Sequence, residues 1–558
     1  MTPNDSLQTT RRVWMRCPWL YVTCAVLVFA AAIEPVAADS SHATVDIALR
    51  RTLARTDSAS TVGVIVTVRP DTTATVQGHI SNGGKLAATS VLPNAFVADV
   101  DRDRLKVLEQ DPDVLHISLN APIAVDPVTS TDAAALASTA LLGTLGIGTK
   151  DASGRGVGIA VIDSGIQPSA GLTPVASFDF TQGGQQVQPS DAYGHGTHVA
   201  GLIAASAAPT TPDAVRGVAP LVRVVSLRVL DAEGRGTTSA VIEALDFAVA
   251  NRRRLGIDVV NLSLGHLATE APDVDPLVQS VEAATRAGLI VVVAAGNVGR
   301  DTSGRSIYGA ILSPGNAPSA LTVGALDTRG TVTRGDDHVA GYSSRGPTHF
   351  DRRVKPDVVA PGHELVSIGA VGSTLYQRYP ERQVATRDTR QHYFRLSGTS
   401  MAAAVTTGVV ALLIDRERRA GGPDLTANQV KGILQYTAIP VAGEDRVTQG
   451  AGSLNARGAL DVVQAKLIDA GLLDQTATFT LSPFSTFGTD SYPWSQTIVW
   501  GNTIVWGNMV AIEAWSTSEL WGSTIVWGND WMPSGEDVST YTPNDGFDGA
   551  VDSTGLTP

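Results

Sequence analysis

The chain is almost without cysteine, and the two it has, Cys17 and Cys24, both lie near the N-terminus. If that segment is cut away, no disulfide can brace the remainder, so stability must come from a large apolar core or from bound ions. Charge is sparse as well, at 17% of residues, and no lysine or arginine follows Lys466. Eleven carboxylates in that last stretch carry most of the net −13 and leave −2 for everything before it. Neither part offers the dense basic stripe that nucleic acid or an anionic membrane requires, which excludes both as expected partners. Tryptophan is missing from the whole middle of the chain, since seven of the nine tryptophans lie between Trp494 and Trp531. Two apolar runs stand out, Trp19 to Ile33 and Met401 to Ile414, and both fall short of the ~20 residues a bilayer span needs.

What is present divides the 558 residues into segments. Arg11, Arg12 and Arg16 precede the first apolar run, and Val36 to Ala38 form a small-residue exit, so residues 1–38 read as a signal peptide with a loose twin-arginine flavour. The expected destination is secretion or the cell surface. Residues 39–125 hold strand patterns at Thr61 to Val68, Ala95 to Val100 and Val114 to Leu119, with a helical pattern over Asp101 to Gln110. That is a small α+β unit.

Over residues 126–468 apolar strands alternate with helical segments, which predicts an α/β body with a mostly parallel sheet and helices on both faces. Strands are expected at Gly158 to Ile162, Arg223 to Val229, Asp258 to Leu262, Leu289 to Ala294 and Ala320 to Val323. Helices are expected at His198 to Ala205, Ser239 to Ala250, Pro276 to Ala287 and Met401 to Arg418. Residues 469–558 form an acidic, Trp-rich tail in which TIVWGN occurs at Thr497 to Asn502, Thr503 to Asn508 and Thr524 to Asn529. Each copy reads as a short strand and a turn, with Ile and Trp on one face and Thr and Val on the other.

Four segments carry chemistry. Asp163 ends the apolar run GIAVI, at the carboxyl end of a strand, where open α/β sheets build their sites. Alone it serves equally well as a helix cap. His195 stands in GHGTHVAG, and His198 three residues on raises a metal pair as the alternative, although no carboxylate stands at metal-motif spacing. Ser400, in SGTSMAAAVTTG, opens an apolar helix, where it is either an N-cap or a nucleophile beside a free backbone N–H. Asn297 closes VVVAAGN and is either a turn residue or a donor to an oxyanion.

Together, the order Asp163, His195, Ser400, with Asn297 before the serine, resembles the subtilisin-like serine proteases, the subtilases. RGVAP at Arg216, NLSLG at Asn261, SSRGP at Ser343 and KPDVVAPG at Lys355 extend the likeness over roughly Gly156 to Leu460. The resemblance implies a Ser400 nucleophile, a His195 base oriented by Asp163, and an oxyanion held by Asn297 and the Ser400 N–H. It also implies that Ser263, Leu264 and Gly265 pair with an extended substrate, and that Ala294, Ala295 and Gly296 line a first pocket roomy enough for a large apolar residue. Residues 39–125 look like the family's inhibitory propeptide.

Expected partners are therefore protein or peptide substrates and the chain's own propeptide, with surface or polysaccharide contact through the tail. No cofactor is required for the chemistry, structural calcium is allowed, and no metal ligand is assigned. Two departures from the family stand out: Ala404 where proline is usual, and a charged connection from Val371 to Arg395 that reads as a solvated loop or a rim beside the site. The competing reading is a surface- or glycan-binding protein directed by its tail, with the protease acting mainly on itself.

Overall fold

A computed structural model describes residues 43–506, apart from 58–59, 81–84, 87–91, 93, 126–137, 149, 152, 207–214, 387–390, 474–480 and 501–502. The expected signal peptide and the third TIVWGN copy lie outside the described residues.

The body is built on one large sheet. Its order is His338–Val339, Leu321–Asp327, Ile290–Ala294, Val259–Leu262, Gly158–Asp163, Arg223–Arg228, Ala176–Asp179 and Gln185–Gln186, with Val358–Pro361 also beside Leu321–Asp327. Neighbours run parallel except at His338–Val339 and Gln185–Gln186. The inner strands are buried on both faces, which is why GIAVID and IVVVA show no polar alternation. Helices Thr238–Ala250 and Pro276–Arg286 pack on each other, as do His195–Ala204 and Thr399–Arg419.

The expected strands all appear, shifted by a few residues at most, and the last runs on to Asp327. The helix expected from His198 begins at His195, because Gly196 and Thr197 hide its first turn from a propensity argument. Thr399–Arg419 is long and apolar enough to cross a membrane, but it is buried almost throughout inside the protein. Ala404 sits within it without breaking it.

Residues 43–119 form a separate layer, a sheet of order Thr44–Val45, Val114–Leu119, Val62–Val68, Ala95–Val100 and Lys85–Leu86. Helices Ile47–Arg55 and Arg102–Gln110 help close a core of its own around Leu49, Val66, Phe96, Leu108 and Ile117. The chain then crosses to the body. Asn120 Oδ1 accepts from Ser239 N at 2.9 Å and the Ala121 carbonyl accepts from Thr238 N at 3.0 Å, so both cap the helix Thr238–Ala250.

The described residues of the connection from Val371 to Arg395 are not a solvated loop. It folds as the helix Thr374–Arg378 and strands Gln383–Val384 and Tyr393–Leu396, the latter paired with Leu365–Ile368, and buries Leu375, Tyr393 and Phe394.

The beginning of the predicted tail also belongs to the packed body. A hairpin of Phe484–Phe487 and Asp490–Pro493 buries Phe487, and Trp494 follows at 3% exposure, its indole N–H donating to Ser485 Oγ at 2.8 Å. The backbone N–H groups of Ser495 and Gln496 then donate to the carbonyls of Ala438 and Tyr436.

Candidate active site

Strand Gly158–Asp163 delivers Asp163 to its carboxyl end, fully buried. His195, the first residue of the helix His195–Ala204, donates from Nδ1 to Asp163 Oδ1 at 2.8 Å and Oδ2 at 2.9 Å. That bond fixes the tautomer and leaves Nε2 as the ring's basic atom. Asp163 Oδ1 also accepts from Ser164 N at 2.7 Å, which holds the carboxylate still.

A residue that the sequence argument missed organises this corner. Asp191 accepts from Gly194 N, Ser164 Oγ, Thr197 N and Thr197 Oγ1 at 2.6–2.9 Å, clamping the turn into the His195 helix. Burial pushes its carboxyl up, and those donors pull against that. The signal was available: an aspartate three residues before a glycine that starts a helix is a capping pattern.

His198 is not placed to act with His195. It is fully buried, and Nε2 faces the carbonyls of Leu365 and Phe394, both at 3.1 Å, which accept only, so that nitrogen carries a proton. Burial, together with the nearby His195, holds its pKa down at about 3, so the ring is neutral. Among the described residues no group of three or more His, Cys, Asp or Glu side chains converges as a metal site.

Ser400 is the second residue of the helix Thr399–Arg419, and its backbone N–H makes no hydrogen bond to any described residue. Two bonds tie it to Ser263: the Ser400 hydroxyl donates to the Ser263 carbonyl and the Ser263 hydroxyl donates to the Ser400 carbonyl, both at 3.0 Å. The hydroxyl is therefore turned to the strand edge and must rotate to meet His195. Asn297 lies beside the same helix end. Its Oδ1 accepts from Thr399 N and Thr399 Oγ1 at 3.0 Å, which orients the carboxamide with Nδ2 away from the helix amides.

Ser263, Leu264 and Gly265 follow the strand Val259–Leu262 as an edge segment, and the chain's own Ala124 pairs antiparallel with Gly265. On its other side the segment Pro122–Ala124 pairs with Arg235–Thr237, so it lies as a middle strand between two edges of the body. Ser263, two residues before Gly265, holds the Ser400 hydroxyl with its carbonyl.

Ala294, Ala295 and Gly296 come together next to this edge, but they do not leave the space the sequence suggested. Gly296, at φ +109°, lies so close to Leu312 that a Cβ there would sit 2.5 Å from Leu312 Cγ. A Cβ on Gly265 would likewise meet Leu312 Cβ at 3.3 Å. Leu312, only partly buried, fills the gap between the two segments.

A parallel α/β sheet with a buried Asp–His pair, a helix-start serine and a peptide-accepting edge, all at the carboxyl ends of its strands, defines a hydrolase of the serine class. Comparison with known proteins narrows this. Residues 154–459 match the Subtilase family, more than half of the chain, and the chain belongs to that family of serine proteases. It is 36% identical over 313 residues to serine protease AprX of Bacillus subtilis (strain 168), covering 55% of this chain and 67% of that one. It is 33% identical over 307 residues to subtilisin DY of Bacillus licheniformis, covering 55% of this chain and 91% of that one. Fervidolysin from Fervidobacterium pennivorans, a keratinolytic enzyme related to subtilisin, shares the fold with a TM-score of 0.56 at 20% identity, over 75% of this chain and 63% of that structure.

Proposed function

We propose that the chain is a secreted endopeptidase working through an acyl-enzyme on Ser400. The Ser400 hydroxyl rotates to His195 Nε2, loses its proton there and attacks the substrate carbonyl, while Asp163 holds the imidazole and balances its charge. Asn297 Nδ2 and the Ser400 N–H hold the oxyanion. His195 then protonates the departing amine, and a water molecule deprotonated by the same imidazole frees the acid product. No metal or cofactor enters any step.

One observation carries this reading: Pro122–Ala124 already lies in the cleft as an added strand, in a register that leads to Ser263 and the Ser400 hydroxyl. A substrate takes the same place, through main-chain hydrogen bonds that are indifferent to sequence. Residues 39–125 then act as a propeptide that blocks the cleft until it is cut away. The first pocket is apolar and carries no fixed charge; with Leu312 inside it, small apolar side chains are favoured over large ones.

The test is expression of the chain with and without Ser400→Ala, with product masses and termini determined and a fluorophosphonate probe applied to both. The parent should be labelled and processed, and the variant neither. Processing of a pure variant, or labelling of it, refutes the assignment.

A further inference from the structure

The catalytic reading leaves Tyr193 without a role, although it stands two residues before His195 and is almost fully buried at the cleft. Its hydroxyl donates to the carbonyl of Val125 at 2.9 Å. Val125 directly follows the strand Pro122–Ala124 that occupies the cleft, and its N–H donates to the Gly234 carbonyl at 3.3 Å. The phenol ring fits beneath Gly234, where a Cβ would lie 2.4 Å from the ring and φ is +76°, so a side chain at 234 and the ring exclude one another.

The ring is also supported from behind. Thr374 N donates to the Ala192 carbonyl at 2.9 Å and Leu375 N to the Tyr193 carbonyl at 3.0 Å. Ser373 lies against Gly194, where an added Cβ would be 2.3 Å from the serine oxygen. The connection from Val371 to Arg395 thus braces the corner Tyr193–Gly194–His195, which explains why it is folded rather than loose.

We propose that Tyr193 is a further substrate-binding residue, whose hydroxyl grips the carbonyl of the residue lying one place before the scissile residue. The place follows from the register. Ala124 opposes Gly265 and two residues further on is Ser263, beside the Ser400 hydroxyl, so Val125 marks the position immediately before the residue whose carbonyl is attacked. Among the described residues that carbonyl has no backbone donor. The hydroxyl supplies one, adding a contact that every peptide substrate can make whatever its side chains. This proposal rests on the peptidase reading, and its test separates the two.

Tyr193→Phe keeps the ring and removes only the hydroxyl. Two measurements follow. In the full chain carrying Ser400→Ala, which keeps the strand in place, amide exchange across Asn120–Val125 should speed up about five- to tenfold on adding Tyr193→Phe, with exchange in the strand Gly158–Asp163 unchanged. In the active chain, KM for a tripeptide p-nitroanilide should rise about five- to tenfold with kcat held within about twofold. A single-residue p-nitrophenyl ester with a free amino group has no carbonyl at that place, so its KM should not move. Unchanged exchange, or equal effects on the long and the truncated substrate, overturns the proposal; the latter would make Tyr193 a support for His195 only. Failure of the peptidase reading shows separately, as hydrolysis that survives Ser400→Ala, while the exchange result still decides the clamp.

Discussion

Replacing Glu270 with glutamine tests how the small α+β unit is held to the body. His116 Nε2 and Glu270 Oε2 lie 2.6 Å apart, both side chains less than a tenth exposed, and His116 Nδ1 is held by Thr44 Oγ1 at 2.6 Å. Burial, with the Asp275 and Asp46 carboxylates nearby, lifts the Glu270 carboxyl from its ordinary 4.5 to about 7 against the pull of the His116 hydrogen bond. A carboxyl raised by folding binds its proton more tightly folded than unfolded, so folding takes up a proton between pH 4.5 and about 7. The sign follows: this stabilisation is complete below the unfolded value and is lost as pH rises through the folded one. Its size is about 3 kcal/mol, at about 1.4 kcal/mol for each pH unit. Glutamine fills the same space and can hydrogen-bond to His116, but it does not titrate. Urea unfolding at about pH 5 and about pH 8, in a Ser400→Ala background to prevent self-cutting, should show the parent losing about 2–3 kcal/mol more than Glu270→Gln between the two, since the unfolded carboxyl is already largely ionised at the lower value. Parallel stability–pH curves for the two proteins would refute the reasoning.

Asn297→Ala should lower turnover by ~10²–10³ with little change in KM, since an oxyanion donor acts mainly in the transition state; normal turnover removes Asn297 from the mechanism. Trp494→Ala should cost about 3–5 kcal/mol in urea unfolding, and a loss under about 1 kcal/mol would make that residue a passenger on the surface. Leu312→Gly should raise kcat/KM for phenylalanine over alanine at the scissile residue by about tenfold or more, and an unchanged ratio would place the pocket elsewhere.

The sheet strands were legible because a buried parallel strand must be apolar on both faces, and runs such as GIAVID and IVVVA have no other simple explanation. Asp163, His195, Ser400 and Asn297 stood out as a set through their order and the glycines around them, and the structure joins Asp163 to His195 and Asn297 to Thr399 beside Ser400. The supports were not. Asn261 and Thr407 look like stray polar residues in an apolar strand and an apolar helix. They are fully buried and bonded to one another at 2.9 Å, and Asn261 Nδ2 donates to the Ser263 hydroxyl at 2.9 Å, which holds the Ser400 carbonyl. A buried polar group is tolerable only when paired, and these partners are 146 residues apart, a distance that periodicity cannot bridge. Leu312 was invisible for the same reason: small residues at 294–296 suggest a cavity until the side chain that fills it is located.

The tail shows what a repeat leaves open when its pairing is unknown. Each TIVWGN copy was expected to set Ile and Trp on one face and Thr and Val on the other. Thr497–Trp500 and Thr503–Trp506 pair with each other, and the register sets Trp500 opposite Thr503 and Trp506 opposite Thr497. An antiparallel ladder runs its second strand backwards, so identical copies meet head to tail and no tryptophan opposes another. Thr497 and Ile498 are moreover both buried, with Ile498 joining the main core, although strict alternation would put them on opposite faces. One side of a free-standing ribbon would be wet; this strand is enclosed on both sides at its start, beside the helix Ala427–Thr437. Trp494, which a carbohydrate-stacking surface would have needed exposed, is buried against Tyr436 and Gly458. Up to Trp506, then, the strands of the first two copies are the two arms of one hairpin.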